Sequence, residues 1–183
     1  SRFIFYFSSI VHCKSSNCKF IYMLSFQSQI DTLYRITRDL LNMGFDGTPL
    51  YSNEFCALNT EVYRQAEALF VLRGSNVEEE AQRCYVLLTA YHATIYDHGN
   101  KNLKIQSLLD RSWQLLGQLS ASLLKCQLLV ACYSEVFDED LAQEAHAIMN
   151  SWTGREWTKA ECEVSDYLDS LETNPWPDWE IVE

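Results

Sequence analysis

Apolar residues recur at the spacing of one helix face along most of this chain. Within residues 25–43 they fall at i, i+3, i+4 and i+7, and later stretches repeat that spacing. The 183 residues include only six glycines and three prolines, which leaves little material for the many turns of an all-β protein. The spacing therefore predicts an all-α fold.

Turn and capping residues divide this pattern into about seven helices. Asn53 and Asp138 are expected to cap the second and sixth helices, and Gly44 and Gly154 to follow the ends of the first and sixth. The predicted helices cover, in order, about 25–43, 53–73, 75–98, 101–117, 119–133, 138–154 and 158–171.

Two pairs of residues have the spacing of a capping box, in which a hydroxyl and a carboxylate three residues later satisfy free amides. These pairs are Ser75 with Glu78 and Thr158 with Glu161. Between 119 and 133, 11 of 15 residues are apolar, so the fifth helix is expected to be buried on most sides. On the fourth helix we expect an inner face that includes Leu103 and Trp113, together with Leu108, Leu109 and Leu116.

One internal similarity suggests how these helices pair. "LLTAYHATIYD" (87–97) aligns with "LLVACYSEVFD" (128–138) at an offset of 41 residues, and each copy precedes another helix. Stacked antiparallel hairpins of about this period are typical of tetratricopeptide-like or HEAT-like repeats. Two amphipathic segments can also match by chance, so both explanations stay open.

Composition divides the chain into three parts. Residues 1–22 contain three basic residues and no acidic one, so we expect a leader of separate origin that ends before Met23. Residues 23–172 are expected to form one helical domain, and 173–183 an acidic tail that contains Trp176 and Trp179.

The net charge restricts the class of partner. A formal charge of −11, or −14 without the leader, argues against direct binding of nucleic acid, which depends on clustered Lys and Arg. An acidic surface favours a basic protein partner, although it can also serve solubility alone. Seven widely spaced cysteines without a CxxC pair fit a reducing cytoplasm.

No sequence pattern indicates catalysis, a cofactor or a metal. The chain has no HExxH, EF-hand, GxGxxG, Walker A or GxSxG sequence, and no paired short spacings of zinc ligands. We therefore expect no enzyme activity, no cofactor and no metal site. A Cys–His nucleophile pair stays open as an alternative, because such partners meet in space rather than in sequence.

The segment "LNTEVYRQAEALFVLRGSNVEEEAQRCYVLL", followed by "LLVACYSEVFDEDLAQEAHAIMNSWTGREWTKAE", resembles the UpxZ family. The resemblance covers about Ser25 to Leu171. It implies a regulatory protein of capsular polysaccharide operons that inhibits the NusG-like (UpxY-type) transcription antiterminators of other loci. Residues 1–22 depart from the family pattern.

The rim of the corner between the fifth and sixth helices is the candidate binding surface for such a partner. Its acidic residues could compete for a surface that otherwise meets RNA polymerase or the nascent leader RNA. A generic helical-repeat scaffold that binds a peptide in its concave groove is the alternative. The candidate partner-binding residues are Tyr133, Glu135, Phe137, Asp138, Glu139, Asp140, Trp152 and Trp157.

Overall fold

Seven α-helices make up the secondary structure of residues 25–43, 52–95 and 99–173, which are the residues that the computed structural model describes. The all-α prediction is confirmed. The helices are α1 (Phe26–Asn42), α2 (Asn53–Phe70), α3 (Val77–Ala93), α4 (Lys101–Leu116), α5 (Leu123–Val136), α6 (Glu139–Asn150) and α7 (Lys159–Thr173).

Two helices, α3 and α5, form the centre of the molecule. They pack against each other, α3 also contacts α1, α2 and α4, and α5 also contacts α4, α6 and α7. The burial expected for the fifth helix is confirmed, because its apolar residues point in every direction and meet a neighbour on most sides. The buried residues of α5 are Cys126 and 128–134.

The two copies of the internal similarity occupy equivalent places in this centre. Leu87, Leu88 and Ala90 of α3 are buried, and so are their counterparts on α5, Leu128, Leu129 and Ala131. Each central helix also packs against the next helix in the chain, α4 or α6. The matched residues therefore fill the core of two consecutive helical pairs.

Two N-caps lie one residue away from their predicted positions. Ser52, rather than Asn53, caps α2 and accepts a hydrogen bond from the Phe55 amide at 3.1 Å. Asn76 caps α3 and accepts from the Glu79 amide at 2.9 Å, so the predicted Ser75/Glu78 box is wrong by one position. Serine and asparagine are equally good N-cap residues, so the local sequence does not decide between two that are adjacent. The path of the preceding chain decides which of them caps the helix.

The other two caps agree with their predictions. Asp138 accepts from the Asp140 amide at 3.1 Å and begins α6. At the start of α7, Thr158 Oγ1 accepts from the Glu161 amide at 3.3 Å, while Glu161 accepts from the Thr158 amide at 2.8 Å. Both predictions depend on hydrogen bonds between residues that are two or three positions apart, and no residue from another helix changes them.

Helix α3 ends at Ala93, five residues before the predicted end at 98. The side chain of Asn59 on α2 accepts a hydrogen bond from the Ile95 amide at 3.0 Å. In a longer helix, that amide would donate to the Tyr91 carbonyl. The Thr94 hydroxyl instead donates to the Tyr91 carbonyl at 3.1 Å. A side chain from another helix therefore sets this end, and the local sequence does not reveal it.

Helix α6 ends at Asn150, before the predicted end at Gly154. A turn follows, in which Gly154 adopts φ +88°, a left-handed conformation that favours glycine.

The predicted inner face of α4 is partly wrong. Leu103 is 73% exposed and Trp113 is 45% exposed, because α4 packs mainly against α3 and α5 and buries a narrow stripe. The buried residues of α4 are Leu108, Leu109, Ser112, Leu115 and Leu116. The predicted leader at 1–22, Gly44 and the tail beyond Thr173 lie outside the described residues.

Candidate functional site

The aromatic residues of the predicted partner-binding set mainly hold the α5–α6 corner together. Tyr133 and Trp152 are buried. Phe137 takes a left-handed conformation at the end of α5 and its ring meets that of Tyr133 edge-on, with centroids 5.4 Å apart. The half-buried Trp157 packs edge-on against Trp152 at 5.5 Å. These contacts shape the corner and leave little aromatic surface for a partner.

The acidic residues of the same set are more accessible. Asp138, Glu139 and Asp140 are exposed at the N-terminus of α6, where negative charge also complements the helix dipole. Glu135 is half-buried and lies 3.0 Å from Nδ1 of His92 on α3. We call Glu135, Asp138, Glu139 and Asp140 the acidic corner, and its role in binding stays a prediction.

A second feature is a half-open groove between α1 and α7, with a volume of about 240 Å³. Helix α1 packs on α2 and α3, and α7 packs on α5 and α6, so within the described residues the two walls do not pack on each other. The floor between them consists of Tyr85 and Thr89 from α3 and of Val130 and Ala131 from α5. We call this feature the α1/α7 groove.

An arginine–glutamate pair crosses the α1/α7 groove. Nη2 of Arg38 on α1 lies 2.7 Å from Oε1 of Glu163 on α7, and both side chains are partly exposed. The guanidinium also lies 5.7 Å from the centroid of the Tyr34 ring. Burial acts to lower the pKa of Arg38, but the hydrogen bond and charge of Glu163 raise it. The pair therefore connects α1 and α7, which within the described residues do not otherwise pack on each other.

The walls of the groove are apolar on either side of this pair. Ala160, Val164 and Tyr167 line the α7 wall, and Leu41 lines the α1 wall with a largely exposed side chain. Tyr167 lies at the lip, and burial of its phenol raises its pKa, whereas a hydrogen bond with Ser134 acts to lower it. The groove thus offers an apolar floor and walls to a group from solution.

The charges around the groove are mostly negative. Asp31 is exposed on α1, one turn before Tyr34 on the same helix face, and Asp166 is exposed on α7 beside Glu163. Across its whole length α7 carries five acidic residues and one basic residue. Arg38 and Lys159 both pair with Glu163, at 2.7 and 3.7 Å, and Arg35 on α1 pairs with Asp39, so these basic charges already have acidic partners. The acidic excess of α7 would favour a positively charged partner.

A second cavity of about 200 Å³ lies where α2, α3 and α4 meet, and three arginines line it. Each arginine already has a partner. Arg83 donates from Nε and Nη2 to Glu80 at 2.9 and 2.7 Å, Arg111 lies 3.5 Å from Glu80, and Arg73 donates to main-chain carbonyls. The Gly74 amide adds a hydrogen bond to Glu80 at 2.7 Å. These residues join three helices, and we assign them a structural role.

The buried thiols and the acidic and histidine side chains of the described residues are the candidates for thiol chemistry and for metal binding. Burial raises the pKa of Cys84 to about 11 and the pKa values of Cys126 and Cys132 to about 12, so these thiols are poor nucleophiles at neutral pH. Among the described residues, no group of three or more His, Cys, Asp or Glu side chains is placed to hold a metal ion. None of the helices described is both long and apolar enough to cross a membrane.

Comparison with known proteins gives a consistent result. The model of the UpxZ family of transcription anti-terminator antagonists matches residues 30–134, more than half of the chain. A search of curated proteins found no match. The crystal structure of a transcription anti-terminator antagonist UpxZ from Bacteroides uniformis ATCC 8492 is 40% identical in sequence and superposes with a TM-score of 0.76. The match covers 87% of this chain and 100% of that one.

These similarities cover the five helices that include the core pair α3 and α5, and they extend over the whole of the solved structure. The family name describes a regulatory role and not an enzyme activity. The chain therefore belongs to the UpxZ family of transcription anti-terminator antagonists.

Proposed function

We propose that this protein inhibits NusG-like (UpxY-type) transcription antiterminators of other capsular polysaccharide loci by binding them directly. The observation that carries the proposal is membership of a family of anti-terminator antagonists. A formal charge of −11 supports binding to a protein over binding to nucleic acid. Such an inhibitor acts beside RNA polymerase, which places it in the cytoplasm.

In this proposal the acidic corner makes one of the contacts with the antiterminator. Glu139 and Asp140 are exposed in the first turn of α6 and are free to meet basic side chains. The antagonist would then cover a surface that the antiterminator needs for RNA polymerase or for the nascent leader RNA. Complementary charge would speed the encounter and select against wrong partners.

The direct test is a binding assay between the purified protein and a panel of NusG-like antiterminators from cognate and non-cognate capsule loci. We expect binding to non-cognate members and loss of their antitermination in a reconstituted transcription assay. Binding to none of the panel would refute the proposal. Binding with no effect on transcription would instead favour the alternative, a helical-repeat scaffold that binds a peptide.

A charge-neutral variant tests the acidic corner separately. Glu139→Gln with Asp140→Asn removes two charges and keeps the Asp138 cap intact. The matched control is Glu54→Gln with Glu78→Gln, which removes two exposed carboxylates from the first turns of α2 and α3. We expect severalfold weaker binding for the corner variant alone, and equal affinity of both variants would remove the corner from the interface.

A further inference from the structure

We propose that the α1/α7 groove binds a basic amphipathic helix of the partner protein, with apolar side chains on the floor and Lys or Arg side chains on the acidic rim. This inference rests on the proposed function, because the partner is the antiterminator. The inference adds a second contact surface to the acidic corner. It also specifies which kind of segment of the partner binds there and which side chains would recognise it.

The size of the groove fits anchoring side chains better than a free small molecule. Its volume of about 240 Å³ is below the range of roughly 300–1,000 Å³ that is typical of small-molecule sites. The groove is also half-open, so it would leave much of a small ligand in water. Two or three apolar side chains from a larger partner would fill it and leave their backbone outside.

The walls suggest that the inserted segment is a helix. The lining residues run from Tyr34 to Asn42 on α1 and from Ala160 to Tyr167 on α7. At a rise of 1.5 Å per residue, each wall is about 11 Å long, which corresponds to two turns of a docked helix. An amphipathic helix laid between two others presents anchors at i, i+3, i+4 and i+7 over that length.

The rim supplies the charge complementarity. Glu163 lines the groove, and Asp31 and Asp166 are exposed on α1 and α7 outside the residues that line it. At one end, the groove-lining His92 contacts Glu135, which is also part of the acidic corner. Because the two features meet at this contact, one partner could cover both.

The Arg38–Glu163 pair crosses the groove without closing it. Both side chains are about one third exposed, and an ion pair with that exposure contributes little to stability. A basic side chain of the partner can therefore replace Arg38 as the contact of Glu163 at small cost. Arg38 would then turn to solvent, as its length allows.

The experiment fills the groove and compares two variants of the first turn of α7. Ala160→Phe places a benzyl group in the groove, whereas Cys162→Phe places the same group on the exposed opposite face. For an antiterminator that the unmodified protein binds, we expect about tenfold weaker binding with Ala160→Phe and unchanged binding with Cys162→Phe. Circular dichroism and thermal unfolding confirm that both variants are folded.

A second pair of variants tests the rim. Glu163→Gln removes a carboxylate from the groove, and Asp169→Asn removes one from the far face of the same helix. We expect Glu163→Gln to weaken binding severalfold and to reduce its dependence on salt, and Asp169→Asn to change neither. If both groove variants bind like the unmodified protein, the groove proposal is wrong while the proposed function stands.

Photocrosslinking identifies the occupant. A benzophenone amino acid at position 160 is expected to join a segment of the antiterminator that has Lys or Arg at helical spacing. Crosslinks to a second copy of this chain, to its own residues 174–183, or to an extended segment of the partner would overturn the proposal. Failure of the unmodified protein to bind any antiterminator would instead refute the proposed function itself.

Discussion

Two arginine–glutamate pairs in this protein have the same chemistry and very different surroundings. Glu80 and Arg83 lie where α2, α3 and α4 meet, and their side chains are 3% and 2% exposed. Arg38 and Glu163 cross the α1/α7 groove, and their side chains are 35% and 29% exposed. The shortest nitrogen–oxygen distance of each pair is 2.7 Å. Only burial and additional partners distinguish them.

This difference separates a structural pair from one that is available for binding. Glu80 also accepts from the Gly74 amide, and Arg83 also donates to the Phe70 carbonyl at 3.3 Å, so removal of either charge leaves buried groups unsatisfied. At the α1/α7 groove, water can hydrogen-bond to Arg38 or to Glu163 if the other side chain is removed. The first pair should therefore matter for stability, and the second for recognition.

Glu80→Ala is expected to produce the largest effect. Burial acts to raise the pKa of Glu80, but hydrogen bonds from Arg83 and Gly74 outweigh it and hold that pKa below its usual range. The carboxylate is therefore ionised at neutral pH, and its loss leaves the buried Arg83 charge without a carboxylate to pair with. We expect the free energy of unfolding, measured with urea, to fall by about 3–5 kcal/mol.

The control is Glu78→Ala, two residues earlier on the same helix and exposed. Glu78→Ala should change the free energy of unfolding by no more than about 0.5 kcal/mol. A loss near 0.5 kcal/mol for Glu80→Ala as well would mean that burial does not distinguish the two pairs, and the comparison would fail.

Gly74 makes the place where α2, α3 and α4 meet sensitive to a steric change as well as to the loss of a charge. A Cβ atom at this position would lie 2.3 Å from the Glu80 amide nitrogen, so the loop could not keep its hydrogen bond to the Glu80 carboxylate. The glycine is therefore required by close approach of two backbone segments. The sequence alone did not show this contact.

Glu161 and Arg155 form a pair whose average side-chain exposure lies between those of the other two pairs. Their contribution to the free energy of unfolding depends on pH. Hydrogen bonds from Arg155 and from the Thr158 amide lower the pKa of Glu161 to about 2, from an ordinary value of 4.5. A folded-state pKa below the unfolded value contributes stability that is complete above about 4.5 and is lost as the pH falls toward 2.

We expect Glu161→Gln to lower the melting temperature at pH 7 by less than Glu80→Ala does. The difference from the unmodified protein should shrink as the pH falls from 4.5 to 2, because the unmodified carboxylate then becomes protonated. Glu156→Gln, an exposed neighbour, serves as the control. A difference that is independent of pH would show that the charge of Glu161 contributes nothing.

The sequence predicted most of what depends on local pattern, although the N-caps of α2 and α3 lie one residue away from their predicted positions. Seven helices, the Asp138 cap and the Thr158/Glu161 box follow from side chains within four residues of each other, and all were confirmed. The end of α3 was wrong, because it depends on Asn59 from another helix.

The candidate site was harder to predict for the same reason. The acidic corner is one contiguous stretch, so its charges were visible, although the burial of Tyr133 and Trp152 was not. The α1/α7 groove brings together residues more than 120 positions apart, such as Arg38 and Glu163, and periodicity carries no sign of it. Leu41 belongs to the apolar pattern of residues 25–43, yet it is 43% exposed at the groove.

The smallest expected effect on stability comes from the exposed pair. We expect Arg38→Ala to lower the free energy of unfolding by about 0.2–1 kcal/mol, and added salt to reduce the difference, since solvent screens the charges. Arg35→Ala breaks a more exposed pair with Asp39, at 3.5 Å on the same helix, and should cost less. Because the Arg38 guanidinium also lies 5.7 Å from the centroid of the Tyr34 ring, some loss should persist at high salt. A loss as large as that of Glu80→Ala would make the groove pair structural, and Glu163 would then be committed to the fold instead of free to exchange its partner.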